Sequence, residues 1–208
     1  MVVRSDGVAR RNALLDAAIR CIVEKGILAT GIEDVRRAAG ASPSSVYHLF
    51  KGMPELVAAL LERTFARLFG HLADRVKEAK TAEATVMALV DGHLEWVLAH
   101  RDEARVMYQA MTLELAGPSM EDVAYEKARL LVPIMKCFEP FMKKGTLPKW
   151  SPLVYDVVLL GPSHEACRRF LAGATLDPKW MRATFPRLAW RSIAAIDKRG
   201  GKTKKKRA

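Results

Sequence analysis

Cysteine is scarce: Cys21, Cys137 and Cys167 are the three in 208 residues. Odd in number, far apart and without a C-x-x-C pair, they argue against a disulfide framework or a thiolate zinc site and for a reducing compartment. Each reads as a small buried hydrophobe. Long apolar runs are missing too. Nothing approaches the ~20 residues that cross a bilayer, and MVVRSDGVARR lacks the apolar core of a secretion signal. The chain is therefore expected to be soluble and cytoplasmic, with no membrane partner.

Catalytic signatures are equally absent. There is no G-x-S-x-G, no P-loop and no dinucleotide fingerprint. His100-Arg101-Asp102 spells a kinase catalytic-loop triplet, but Met107 stands where its asparagine belongs, and no D-F-G follows. His164-Glu165 begins like H-E-x-x-H, yet Arg168 holds the second ligand position. His93 and His100 are seven apart, and two histidines do not make a metal set. The expectation is no catalytic residue, no metal and no cofactor: not an enzyme.

Charge is present, and it is uneven. The net is +11. Residues 1–51 carry eight Lys/Arg against five Asp/Glu, residues 52–197 nineteen against eighteen, and residues 198–208 seven against none. The body is nearly neutral and both ends are basic. The tail KRGGKTKKKRA has nothing to bury and reads as disordered. It is either a solubilising end or a nonspecific phosphate anchor whose effect fades with salt.

No stretch alternates as a strand, no internal repeat is found, and apolar residues recur at helical spacing throughout. A first helix over about Val8–Lys25 places Leu14, Ala18, Cys21 and Ile22 on one face and ends at Gly26. A long helix starts at Met53-Pro54-Glu55 and runs to about Lys80. Further helices are expected over about Thr81–Ala99, from an Asp102 cap to Leu115, to Lys144 with Pro133 and Pro140 as kinks or ends, and from Asp177-Pro178 to about Ile196. LVYDVVLL reads as helix before a break at Gly161-Pro162, which is either a polar contact for a ligand or a kink.

The most informative stretch is AAGASPSSVYHLFKGMPEL, Ala38–Leu56. Gly40 suits a helix C-cap, Ser42 an N-cap, and Pro43 the first helical position. In the short helix that follows, Val46, Leu49 and Phe50 face inward while Ser44, Ser45, Tyr47 and His48 face out. Small hydroxyls, a tyrosine and a histidine suit base edges and phosphates. Upstream, Thr30-Gly31-Ile32-Glu33-Asp34-Val35 reads as a helix start, with Gly31 as cap and Asp34 at the positive end of the dipole. Two short helices about a Gly40-Ala41-Ser42 turn give a helix-turn-helix. An αα-corner with no nucleic-acid role has the same spacing, so spacing alone leaves both open.

Residues and spacings together carry a resemblance. Leu14, Ala17, Ala18, Gly26, Thr30, Ile32, Asp34, Val35, Ala39-Gly40, Ser42, Tyr47, Phe50 and Leu56 resemble the N-terminal domain of the tetracycline-repressor (TetR) family of transcriptional regulators. The match spans roughly the first quarter of the chain. Ser44 stands where the family usually has glycine, Met53 where it has a phosphate-contacting lysine, and Pro43 where a polar residue is common. The resemblance implies an all-α fold: a three-helix helix-turn-helix domain over 1–52, a larger helical ligand-binding and dimerisation domain over 53–197, and the basic tail over 198–208. It implies a homodimer that binds a palindromic double-stranded operator, and most often a repressor that a small-molecule effector releases.

The residues expected to meet DNA are Thr30, Ser42, Pro43, Ser44, Ser45, Tyr47, His48 and Lys51. The C-terminal part is rich in Met, Trp, Tyr and Phe, which line adaptable apolar pockets. Phe65, His93, Trp96, Met107, Tyr108, Met111, Phe138 and His164 are the expected wall, although for each one alone core packing is the more ordinary role. Mapping the family's two-fold helix bundle implies a dimer interface of Phe170, Leu171, Phe185, Leu188, Trp190 and Ile193. A second class of reading is an all-helical small-molecule binding protein or enzyme with a vestigial helix-turn-helix; Met53 is the residue that favours it.

Overall fold

In the computed structural model, residues 2–113, 115 and 120–203 are described, with side chains at 7–113, 115 and 121–195. Every regular element among the described residues is helical, as the periodicity requires. The order is α1 Val2–Lys25, α2 Ile32–Ala38, α3 Pro43–Leu49, α4 Met53–Lys77, α5 Ala82–Ala99, α6 Arg101–Thr112 and α7 Met120–Lys143. After these come α8 Pro152–Tyr155, a π-helical turn Asp156–Leu160, α9 Gly161–Leu171 and α10 Pro178–Thr203.

Several boundaries differ from expectation, each for a local reason. α1 begins six residues early, at Val2, because nothing before Val8 forbids a helix. α6 is capped by His100, not by Asp102, which sits in the first turn, where its charge suits the dipole. Pro133 and Pro140 do not end α7; Ile134 and Phe138, 2% and 1% exposed, hold it by burial despite the two amide donors missing from its ladder. At Gly161-Pro162 the helix also continues. Pro162 cannot donate to the carbonyl four residues back, and the ladder just upstream widens: Gly161 N–H reaches the carbonyls of Asp156 and Val157. α10 extends to Thr203 rather than about Ile196, so 198–203 of the basic tail are helical backbone rather than disordered chain. Lysine and arginine are good helix formers and suit a C-terminal turn. Residues 204–208, and the Gly117-Pro118-Ser119 break, lie outside the described residues.

The chain forms two compact units. The first takes residues up to Phe65 together with His100–Lys127. Its core is Leu14, Leu15, Ala18 and Ile22 of α1, Val35, Val46, Phe50, Leu56 and Leu60, with Ala104 and Met107 of α6. Polar ties cross this core. Arg63 of α4 donates to Asp16 at 2.8 Å and to the Asn12 carbonyl at 3.3 Å. Arg11 lies over the Phe50 ring at 5.7 Å, and the Thr64 hydroxyl donates to the buried Glu103 carboxylate at 3.0 Å.

The second unit takes Ala66–Ala99 and the chain from Ala128 onward. α10 packs along α5. A bidentate ion pair fastens them, with Arg182 donating to Asp91 at 2.8 and 2.7 Å. Arg75 of α4 also donates to Asp91, at 3.0 Å, and Arg182 reaches Glu95 at 3.4 Å.

Candidate functional site

The helix-turn-helix lies wholly in the first unit. Gly40, with φ of +62°, takes the left-handed conformation that ends α2 without steric cost. Ser42 caps α3 by accepting from the Ser45 amide at 3.3 Å, and Pro43 takes the first helical position. Val46 in α3 and Phe50 just after it are 0% and 2% exposed and Leu49 is half-buried, so one side of the helix is seated. On the other side Ser44, Tyr47 and His48 are exposed, while Ser45 is half-buried. Lys51 follows, exposed, with its ammonium 3.7 Å from Glu55.

Thr30 departs from expectation. It is buried, and its hydroxyl already donates to the Gly26 carbonyl at 2.8 Å. A hydroxyl committed to closing the α1–α2 turn is not offered to DNA. Met53, at the start of α4, is half-buried and puts no charge where a phosphate-binding lysine was expected.

Two charge clusters brace α2, and the sequence reading assigned neither. Asp34 accepts from Lys25 at 2.8 Å and from the Gly31 amide at 2.9 Å. The Lys25 ammonium, then that amide, hold its carboxyl below the ordinary range. Glu33 accepts from Arg36 Nε at 2.7 Å and from the Tyr47 hydroxyl at 3.2 Å. Arg36 also donates to the Ala41 carbonyl in the turn, at 3.1 Å. Arg36 first, and Tyr47 after it, favour the ionised form of Glu33, and Glu33 in turn raises the Tyr47 phenol. The signal was present in the sequence as an acid three residues before an arginine on one face of α2. The reach across fourteen residues to Tyr47 was not.

The expected ligand wall divides between the units: Phe65, Met107, Tyr108 and Met111 belong to the first, and His93, Trp96, Phe138 and His164 to the second. In the second unit two of them meet, the His93 and His164 rings packing edge to face at 4.4 Å. His93 is fully buried, with Nδ1 3.3 Å from the Ser163 hydroxyl, which itself donates to the Leu160 carbonyl at 2.8 Å. Ser163 therefore accepts from His93, and burial, with His164 beside it, holds the imidazole well below its ordinary pKa. His164 Nε2 lies 3.5 Å from Asp156 in the π-helical turn. Phe138 packs edge to face on Tyr155 at 5.1 Å. Both rings line a small apolar cavity with Phe69, Leu72, Leu131 and Leu160, and Asp156 at its wall. Glu165, which follows His164 in the sequence, is held by Arg168 and Arg169, which pull its carboxyl down to about 2. Among the described residues no group of three or more His, Cys, Asp or Glu is arranged to hold a metal ion.

The expected interface residues also differ among themselves. Leu171 and Ile193 are buried within this chain, 7% and 2% exposed, which removes them from a contact surface. Phe170, Phe185 and Trp190 are half-buried and Leu188 is exposed. Trp180, outside the expected interface set, is half exposed and packs on Phe185 at 5.7 Å. Among the described residues no helix is long and apolar enough to cross a membrane.

Residues 14–60 match the family model described as bacterial regulatory proteins, tetR family. The HTH-type transcriptional regulator BetI of Rhizobium meliloti is 35% identical over 81 residues, 39% of this chain and 40% of that protein. The HTH-type transcriptional repressor KstR2 of Rhodococcus jostii is 34% identical over 100 residues, 48% of each. The chain thus spans between two-fifths and one-half of the length of these curated relatives. Solved structures are similar over much more. A TetR family transcription regulator from Marinobacter aquaeolei covers 93% of this chain and 98% of its own, with TM-score 0.73 and 16% identity. The fatty acid degradation regulator FadR from Bacillus halodurans covers 87% and 94%, with TM-score 0.71 and 18% identity. Those two likenesses are of fold. Sequence similarity to the tetR family covers the N-terminal residues 14–60, and over most of the chain the architecture is similar in fold to these solved structures.

Proposed function

We propose that this protein is a transcriptional regulator, a repressor that binds a palindromic operator as a homodimer in the cytoplasm and leaves it when a small, apolar effector binds. One observation carries the reading: Val46 of α3 and Phe50 at its end are buried, while Ser44, Tyr47 and His48 turn outward. A helix seated on one side and polar on the other fits the major groove. Ser44, Tyr47 and His48 are assigned to base and backbone contact, Ser42 and Pro43 to the start of the helix, and Lys51 to phosphate. The names of the relatives, transcriptional regulator and repressor, support the same assignment.

Two copies joined by a two-fold axis would set their α3 helices about 34–36 Å apart, one duplex turn, or a multiple of it. Leu188, Trp180 and Phe185 on α10 are the apolar side chains offered to that partner. The apolar cavity about Phe138 and Tyr155, with the His93–His164 pair in the same unit, is the assigned place for the effector. Release requires a coupling of only about 1–3 kcal/mol between the two sites. The division of labour proposed is a DNA-binding head over 1–52 and a ligand-binding and dimerisation body over 53–197.

Mobility shift with duplexes drawn from the protein's own upstream region tests the reading. Retarded complexes that compete with self-complementary but not scrambled duplexes are expected. No shift of any upstream fragment at low salt would overturn it. Tyr47→Ala with His48→Ala should abolish the shift and leave effector binding, followed by thermal shift, unchanged.

A further inference from the structure

The Tyr47 hydroxyl has its proton already placed. Its oxygen is 3.2 Å from Glu33 Oε1. Glu33 is ionised, paired through its other oxygen with Arg36 at 2.7 Å, and a carboxylate has no proton to give. In this contact the phenol is necessarily the donor. What it presents outward is a lone pair. Arg36 fixes the arrangement at its far end, since its Nη1 donates to the Ala41 carbonyl in the turn. The chain Ala41–Arg36–Glu33–Tyr47 thus crosses the helix-turn-helix and orients a side chain that is 48% exposed on α3.

That orientation restricts what Tyr47 can meet in the groove. Phosphate oxygens carry no hydrogen and need a donor; so do thymine O4 and the O6 and N7 of guanine. A hydroxyl whose one hydrogen is engaged by Glu33 satisfies none of them. The hydrogen-bearing groups on the major-groove edge are the amino groups of adenine (N6) and cytosine (N4). Resting on the DNA-binding reading above, we infer that Glu33 makes Tyr47 a hydrogen-bond acceptor that selects an exocyclic amino group, adenine N6 or cytosine N4, at one position of each half-site. Glu33 acts through Tyr47 and is a positioning residue. Its own charge, set beside the contact surface, also disfavours a phosphate at that point.

Selection from a random duplex library with the intact protein, with Tyr47→Phe and with Glu33→Ala tests this. Both substituted side chains are exposed, and circular dichroism checks that each variant keeps its helices. The native protein should enrich adenine or cytosine at one position per half-site, and the enriched base tells the two amino groups apart. Tyr47→Phe should lose that preference alone. Glu33→Ala, which frees the phenol's hydrogen for another acceptor, should widen it to thymine or guanine. If adenine is selected, replacing it with purine, which lacks only the 6-amino group, should weaken native binding about tenfold and leave Tyr47→Phe unaffected. One base preference shared by all three proteins would overturn the inference. So would a Tyr47→Phe variant weakened equally on every sequence, the mark of a phosphate contact. If the native protein enriches no sequence at low salt, the DNA-binding reading itself falls and takes the inference with it, a result distinct from the other two.

Discussion

Consider the pair that fastens α10 to α5. Arg182 donates twice to Asp91, at 2.8 and 2.7 Å, and the two side chains are 38% and 22% exposed. A fully exposed pair contributes about 0.2–1 kcal/mol, and a charge-assisted hydrogen bond away from water about 1.5–3 kcal/mol. Half-sheltered and bidentate, this pair belongs between them, at about 1–2 kcal/mol of coupling. The single variants will not be equal. Arg182→Ala leaves Asp91 with Arg75, whereas Asp91→Ala leaves two guanidiniums sharing only Glu95 and costs more. The coupling is read from a double-mutant cycle by urea unfolding at one fixed protein concentration, since association would shift apparent stability.

Acidity gives the second reading. Burial pushes the Asp91 carboxyl up, but Arg182, by hydrogen bonding and charge, and then Arg75 outweigh it, and the carboxyl ends below its ordinary range. The stabilisation is therefore complete above the unfolded carboxyl's value of about 3.9 and disappears as pH falls below it through the folded value. A coupling indistinguishable from zero near neutral pH, or one that persists after the carboxylate is protonated, would refute the reasoning.

Three more outcomes are expected. Val46→Ala empties a fully buried site under α3 and should cost about 2–3 kcal/mol of unfolding free energy in urea, with operator affinity falling in parallel. Ser42→Ala removes the cap on the same helix and should cost about 0.5–2 kcal/mol, with Ser42→Thr largely restoring it. In a carboxyl-resolved NMR titration Glu165 should protonate near about 2, and Arg168→Ala should move that midpoint toward the ordinary glutamate range; an unchanged midpoint would remove the ion pair as its cause.

The sequence made the head legible because its signals are local. Gly40, Ser42 and Pro43 fix where two helices stop and start whatever they pack against, and the spacing of Val46, Leu49 and Phe50 fixes which side of α3 is buried. Family resemblance followed from the same residues. Where local rules met burial, burial decided. Pro133 and Pro140 were expected to kink or end α7, and with Ile134 and Phe138 buried they do not end it, while Gly161-Pro162 widened a helix it was expected to interrupt.

The sequence by itself determined helices throughout, a polar α3 and a basic excess at both ends, because periodicity, caps and charge are properties of neighbouring residues. Only the tertiary structure decided that Thr30 is spent on its own turn, that Leu171 and Ile193 face inward, and that Tyr47 donates its hydrogen to Glu33. The physical reason is distance along the chain. A hydrogen bond from residue 47 to residue 33, or from 182 to 91, is formed by how helices pack, and no pattern read from adjacent residues contains it.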